Sequence, residues 1–221
     1  MKRATLTLML LLLISQLHIA NSLANEITVK VVDIDDKPAV GLAIYLLPLD
    51  AQQLDFVKPA SPVVSQSEKA FLPHISVMEK GMSVNFINED NITHHIYSVS
   101  SKNNFSFRIK KGDSKSVEQL SSIGKVLMGC NIHDWMSGYI LVVDTPLYTK
   151  TDQLGEAVID VPVSGRYQLV IWHPQLKEKD NQLSQEITLP GKNDFQVKLN
   201  TPIINENKQK NREDFDFLED Y

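Results

Sequence analysis

The sequence is nearly devoid of cysteine: Cys130 is the only one in 221 residues. An internal disulfide is excluded, and with it the small disulfide-stapled folds. Basic charge is also in short supply, with 22 lysines and arginines against 27 aspartates and glutamates. A nucleic-acid partner is not expected from that balance, because phosphate recognition relies on basic patches. Long apolar runs are lacking except for one, LTLMLLLLI, which sits behind Lys2 and Arg3. No Ser-His-Asp set, phosphate loop or pair of carboxylates in a catalytic setting stands out, so enzymatic activity is not expected. Long amphipathic helices are missing too, leaving QLDFVK and SVEQLSS as the short helical candidates.

What is present begins with a leader. A charged start, a short apolar middle and the small residues Ser22 and Ala24 have the form of a secretory signal peptide, residues 1–24, cleaved after Ala24. The apolar run is short of the roughly 20 residues that span a bilayer. The expectation is a periplasmic or otherwise exported protein with no membrane span after cleavage. About 200 residues then remain, enough for one large or two small domains.

Strand signals dominate that remainder. ITVKVVDI, AIYLLPL, SVNFIN, HHIYSVS, NFSFRI, GYILVVD, EAVIDVPV, YQLVIWH, QEITLP and DFQVKL are short and rich in β-branched or aromatic residues. Turn-forming stretches such as DIDDKP, NEDN, KKGD and PGKND separate them. The expected class is all-β, a Greek-key sandwich. Residues 25–61 and 145–200 each hold too few strands to close a sandwich alone. They are expected to pair with each other around an inserted block, 62–144, since exposed turns tolerate insertions. Residues 201–221 are charged and acidic, the composition of a disordered tail.

The lone cysteine lies in MGCNIHDWMSG, followed by His133 and Met136 at the spacing C-x2-H-x2-M. A bare thiol in an oxidising compartment is open to oxidation, so a bound partner would explain its retention. On an extended strand, side chains three apart point to opposite faces. On a loop curling around a point they converge, and Gly129 and Gly138 on either side are expected to help the backbone turn. Thiolate, imidazole and thioether form a soft donor set that prefers copper to magnesium, calcium or manganese. A second imidazole would complete a His2Cys plane with an axial methionine, the arrangement of a blue-copper centre. NITHHIYSVS offers two, on opposite faces of a strand; the apolar parity of Ile92 and Ile96 leans toward His94 over His95.

The inner block resembles the cupredoxins, the type 1 copper proteins, and its ligand loop is similar to those of amicyanin and plastocyanin-like domains. The resemblance rests on AFLPHISVMEKGMSVNFIN, on HHIYSVS and on GKVLMGCNIHDWMSGYILVV. It implies a Greek-key sandwich and one type 1 copper ion held by His94, Cys130, His133 and Met136. One departure stands out. The family usually has an asparagine after the first ligand histidine, which hydrogen-bonds across to tie the ligand loops together; this chain has His95. The segment TDQLGEAVIDVPVSGRYQL resembles carboxypeptidase regulatory-like or prealbumin-like modules, which implies a structural or binding sandwich.

The expected function is that of a one-electron carrier. The alternatives are a copper-carrying module without electron transfer and a metal-free structural protein. Ile132 and Trp135 are expected to frame the exposed edge of His133 as a docking patch for a redox partner, with Trp135 packed beneath the loop as the plainer alternative. His74 and His173 read as core or surface histidines and not as ligands.

Overall fold

The computed structural model describes residues 25–50 and 60–204. The signal peptide, QLDFVK and the tail beyond residue 204 lie outside the described residues. Sixteen strands follow in order. They are β1 (Asn25–Val32), β2 (Ala43–Pro48), β3 (Val63–Ser67), β4 (Ala70–Leu72), β5 (Ile75–Glu79), β6 (Val84–Asn88), β7 (His94–Ser98) and β8 (Phe105–Ile109). Then come β9 (Ser114–Val117), β10 (Gly124–Cys130), β11 (Ser137–Val143), β12 (Tyr148–Lys150), β13 (Glu156–Val161), β14 (Gly165–Trp172), β15 (Gln182–Leu189) and β16 (Asp194–Lys198).

They form four sheets, in the orders β13-β1-β16, β12-β2-β14-β15, β4-β3-β6-β9 and β5-β11-β10-β7-β8. The first two draw strands from both ends of the chain; the last two use only the strands between. The fold is therefore all-β, one sandwich inserted into another. Most ladders are antiparallel, but β1–β16, β5–β11 and β3–β6 are parallel, as crossovers between sheets require.

Each sandwich has its own core. Ile27, Val29, Ile44, Leu46, Tyr167, Leu169 and Ile187 pack between the two outer sheets. Val64, Phe71, Phe86, Ile96, Val126, Met128 and Ile140 pack between the two inner ones. A third cluster fills the seam, where Ala43, Tyr45, Val170 and Trp172 meet Ile75, Val77, Leu141 and Val143. Strand alternation explains how β14 serves both: Leu169 and Ile171 face the outer core while Val170 and Trp172 face the seam. β11 divides likewise, Ile140 and Val142 inward, Leu141 and Val143 to the seam. Strands buried on both faces read as continuous apolar runs, which is what LVIW and YILVV are.

The helical expectation for SVEQLSS is overturned. Ser116 and Val117 belong to β9 and pair with Asn85 and Val84 of β6. Gln119 then takes a φ of 48°, which no right-handed helix contains. The free edge of β6 offers a ladder to a segment too short to nucleate a helix alone. Thr201 to Ile204 are tied down: the Thr201 carbonyl accepts from the Ile34 amide, and Gln175 bonds both the amide and the carbonyl of Ile204. No helix among the described residues is long and apolar enough to cross a membrane.

Candidate metal centre

The β10–β11 hairpin keeps its register as far as Gly129 opposite Ser137. One step further, the Cys130 amide donates to the Met136 carbonyl at 3.3 Å, and the Met136 amide donates to the His133 carbonyl at 3.0 Å. The segment 130–136 thus closes on itself, turning Cys130, His133 and Met136 into the end of the inner core. All three are buried, with Cys130 and Met136 among the apolar side chains of that core. The bracketing glycines do not supply the turn, because both lie inside strands. They make room instead. A Cβ on Gly129 would lie 2.8 Å from Cζ of Tyr97, and one on Gly138 would lie 3.0 Å from Cε of Met128.

β7 brings the second imidazole. His94, Ile96 and Ser98 are buried while His95 and Tyr97 are half-exposed. His94 is fully buried, and its Nδ1 lies 3.6 Å from Cys130 Sγ. His133 Nδ1 lies 3.8 Å from the same sulfur. One donor atom from each of the three residues lies within 4.8 Å of the others, the one such His/Cys/Asp/Glu group among the described residues. Bond lengths of roughly 2.0 to 2.3 Å to imidazole and thiolate put the donors of a trigonal plane about 3.5 to 4 Å apart. The spacing around the sulfur therefore suits a single ion at the centre. The His94 and His133 rings are 5.1 Å apart, tilted by 56°.

A carboxylate fixes the orientation of His94. Its Nε2 lies 2.8 Å from Asp90 Oδ2. Since a carboxylate only accepts, Nε2 carries a proton, and Nδ1 is the ring nitrogen that faces Cys130. Asp90 is itself held, its Oδ2 accepting from the Lys69 amide and its own amide donating to Asn88 Oδ1. Asn88 is buried and donates to the carbonyls of Ile92 and Ile109. The NEDN stretch, read from sequence only as a turn, is thus the seat of the histidine. Burial alone would lower the His94 pKa, but the bonds to Cys130 and Asp90 and their charges outweigh it and raise it. Burial likewise pushes the Cys130 thiol up, yet the bond from His94 and the backbone amides of Ile132, His95 and His133 bring it down to about 6. The thiolate is the metal-binding form.

His95 stays out of the cluster and does something else. Its Nδ1 lies 3.1 Å from Nδ2 of Asn131, its carbonyl accepts from the Asn131 amide at 3.0 Å, and its Nε2 pairs with Ser106 Oγ at 2.9 Å. The cross-tie between the two loops is therefore present with the residue types exchanged, asparagine now beside the cysteine. Sequence reasoning missed Asp90 and Asn131. The one available signal was a carboxylate four residues before a buried histidine.

Around the tip, Ile132 is 52% exposed while His133 is only 8% exposed. Trp135 is half-buried, packs against the inner core and lies 5.2 Å from the His133 ring. His133 leaves little exposed edge to frame, and Trp135 leans on its ring while packing against the inner core, the plainer of the two expectations.

No protein-family model matches the sequence, and no curated protein matches it. Solved structures do. A variant of amicyanin in its Cu(I) form is 19% identical over 39% of this chain and 86% of its own, with a TM-score of 0.35. A purple cupredoxin from Nitrosopumilus maritimus is 18% identical over 38% of this chain and all of its own, with a TM-score of 0.33. A copper-containing nitrite reductase from Thermus scotoductus SA-01 is 19% identical over 52% of this chain, which spans only 28% of that enzyme, with a TM-score of 0.37. The similarity to cupredoxin-like proteins is distant and confined to part of the chain.

Proposed function

We propose that this chain is an exported, mononuclear type 1 copper protein that carries single electrons. The observation that supports it most is the convergence of His94 Nδ1, Cys130 Sγ and His133 Nδ1 at trigonal spacing inside an apolar core. In this reading Met136, buried in the same core, would be the fourth and weakest donor. Copper bound there would supply one-electron exchange between its two oxidation states. Cys130, acidic enough to be a thiolate near neutral pH, gives the anionic donor. Asp90 holds the His94 tautomer, and the Asn131–His95 tie holds the two loops at a set distance, so the donors need not rearrange. Burial of all four side chains keeps water from the donors, which suits a carrier. Ile132 and Trp135 beside His133 are the apolar patch where a redox partner protein docks, through the small contact that such encounters use. Export rests on the leader in residues 1–24.

The test is a visible-absorption titration of the purified chain with Cu(II), beside Cys130→Ser. An intense thiolate-to-copper band saturating at one equivalent, absent from the variant and followed by a reversible potential, is the expected result. A colourless protein would remove the type 1 reading. A coloured protein that surrenders its copper rapidly to chelators would replace electron transfer with copper carriage.

A further inference from the structure

Away from the metal centre, a cavity of about 210 Å³ opens at the seam between the sandwiches. His74 and Ile75 line it from the inner sandwich; Gly41, Lys150, Thr151 and His173 line it from the outer one. Its most unusual occupant is Lys150, the last residue of β12. The side chain is half-buried, crosses the seam and donates from Nζ to the Ile75 carbonyl at 2.8 Å. An ammonium has three protons to give, and among the described residues Lys150 has no carboxylate partner. A buried cation without a counter-charge is costly, and burial holds this ammonium's pKa below the usual lysine value.

The rest of the wall tends the same way. Thr151 is committed, its hydroxyl donating to the Ala39 carbonyl and accepting from the Leu42 amide. His173 is buried, and its Nδ1 accepts from the Gln175 amide at 3.3 Å, which puts the ring proton on Nε2. Among the described residues no carboxylate lines the cavity. The Lys150 ammonium is the charge on this wall, with the His74 and His173 rings beside it, and it disfavours a metal cation. At about 30 Å³ for each water, there is room for a small oxyanion with a few waters.

We propose that the seam cavity binds a small oxyanion, a carboxylate or a phosphate, with Lys150 as its charge partner and His74 and His173 flanking it. Because the wall comes from both sandwiches, the bound anion fastens one to the other. The site is independent of the copper reading, and either can fail without the other.

The experiment is calorimetric and NMR titration of the full chain with acetate and, separately, inorganic phosphate, at ionic strength held constant with chloride. Saturable binding is expected for at least one of them, with amide shifts concentrated at Gly41, Ile75 and Thr151 and a rise in melting temperature. Which anion binds more tightly identifies the source. Lys150→Met should weaken binding by roughly tenfold or more, as for loss of a hydrogen bond to a charged group. His173→Gln, which keeps the lysine, should weaken it less and guards against a Lys150 variant that fails to fold. Absence of saturation with both anions, shifts centred elsewhere, or equal binding by the wild type and the variants would overturn the proposal.

Discussion

The two sandwiches are built alike and differ in what they bury at their ends. The outer core is aliphatic and aromatic from Ile27 to Leu199, with the Tyr167 hydroxyl donating to the Val163 carbonyl, and the buried Asp33 and His173 of that sandwich belong to no group of metal-binding donors among the described residues. The inner core has the same kind of centre around Phe86 and Ile140, but it closes at one end on His94, Cys130, His133 and Met136. Buried polar groups cost free energy unless they are paired, so a core optimised for stability alone has no reason to gather them. Among the described residues the outer sandwich gathers no comparable group of donors. Set against it, the inner cluster is the place where polar donors are gathered at a cost in stability.

That contrast can be broken by truncating each core. Phe86→Ala in the inner sandwich should cost about 3–5 kcal/mol, and Leu169→Ala in the outer one about 2–5 kcal/mol. Trp135 reports on the inner core and Trp172 on the seam, so tryptophan fluorescence follows both. Because the seam is apolar and continuous, each variant should lower one shared transition. Two separate transitions would show that the sandwiches unfold independently.

The next effect sharpens the role of the buried polar end. Asp90→Asn retains an oxygen acceptor for His94 Nε2 but removes the charge that makes the imidazole a stronger donor. Copper affinity should fall by about 10- to 100-fold, and the reduction potential should rise because the Cu(II) state loses more than the Cu(I) state. An unchanged potential, measured by voltammetry, would mean that Asp90 only orients the ring.

Gly129→Ala tests the packing beside the site. A Cβ there meets the Tyr97 ring at 2.8 Å, so the variant should lose about 1–3 kcal/mol by overpacking. Tyr97→Ala in the same chain should recover part of it. Denaturation of the two variants would show no such coupling if the ring moves aside freely.

The smallest effect concerns protons. In the metal-free protein, thiolate absorbance should appear with a midpoint near the value of about 6 that the surroundings of Cys130 set. A thiol whose folded pKa lies below its unfolded one contributes stability that is fully present above the unfolded value, near 8.5. The contribution declines as pH falls and is lost below about 6. His94, whose pKa is raised, works in the opposite sense and is lost as pH rises, so the stability change should be smaller than the spectroscopic one. A thiolate midpoint of 8 or above would mean that burial outweighs the hydrogen bonds.

How much of this was legible varies with the range of the interactions. The alternation in HHIYS, a local property, leans toward His94 as the inward residue, and the structure buries it while leaving His95 half-exposed. The ten segments read as strands all contain strand, because β-branched and aromatic runs between turn residues carry their preference with them. β9 was misread because four residues have no firm local preference; the open edge of β6 decided for them. The tie through Asn131 left no local signal, and the carboxylate behind His94 left only its spacing of four residues, because each contact depends on where a side chain arrives after the turn has formed.

Local patterning suffices for the all-β class and for the order of soft donors around Cys130, because side-chain periodicity and the reach of a seven-residue loop are short-range properties. The remaining features arise from long-range contacts. Convergence of His94 with the loop, the tie of His95 to Asn131 and the placing of Lys150 across the seam each join residues far apart in the chain. Such contacts exist only after loop closure has brought the sheets together, so no short stretch of sequence encodes them alone.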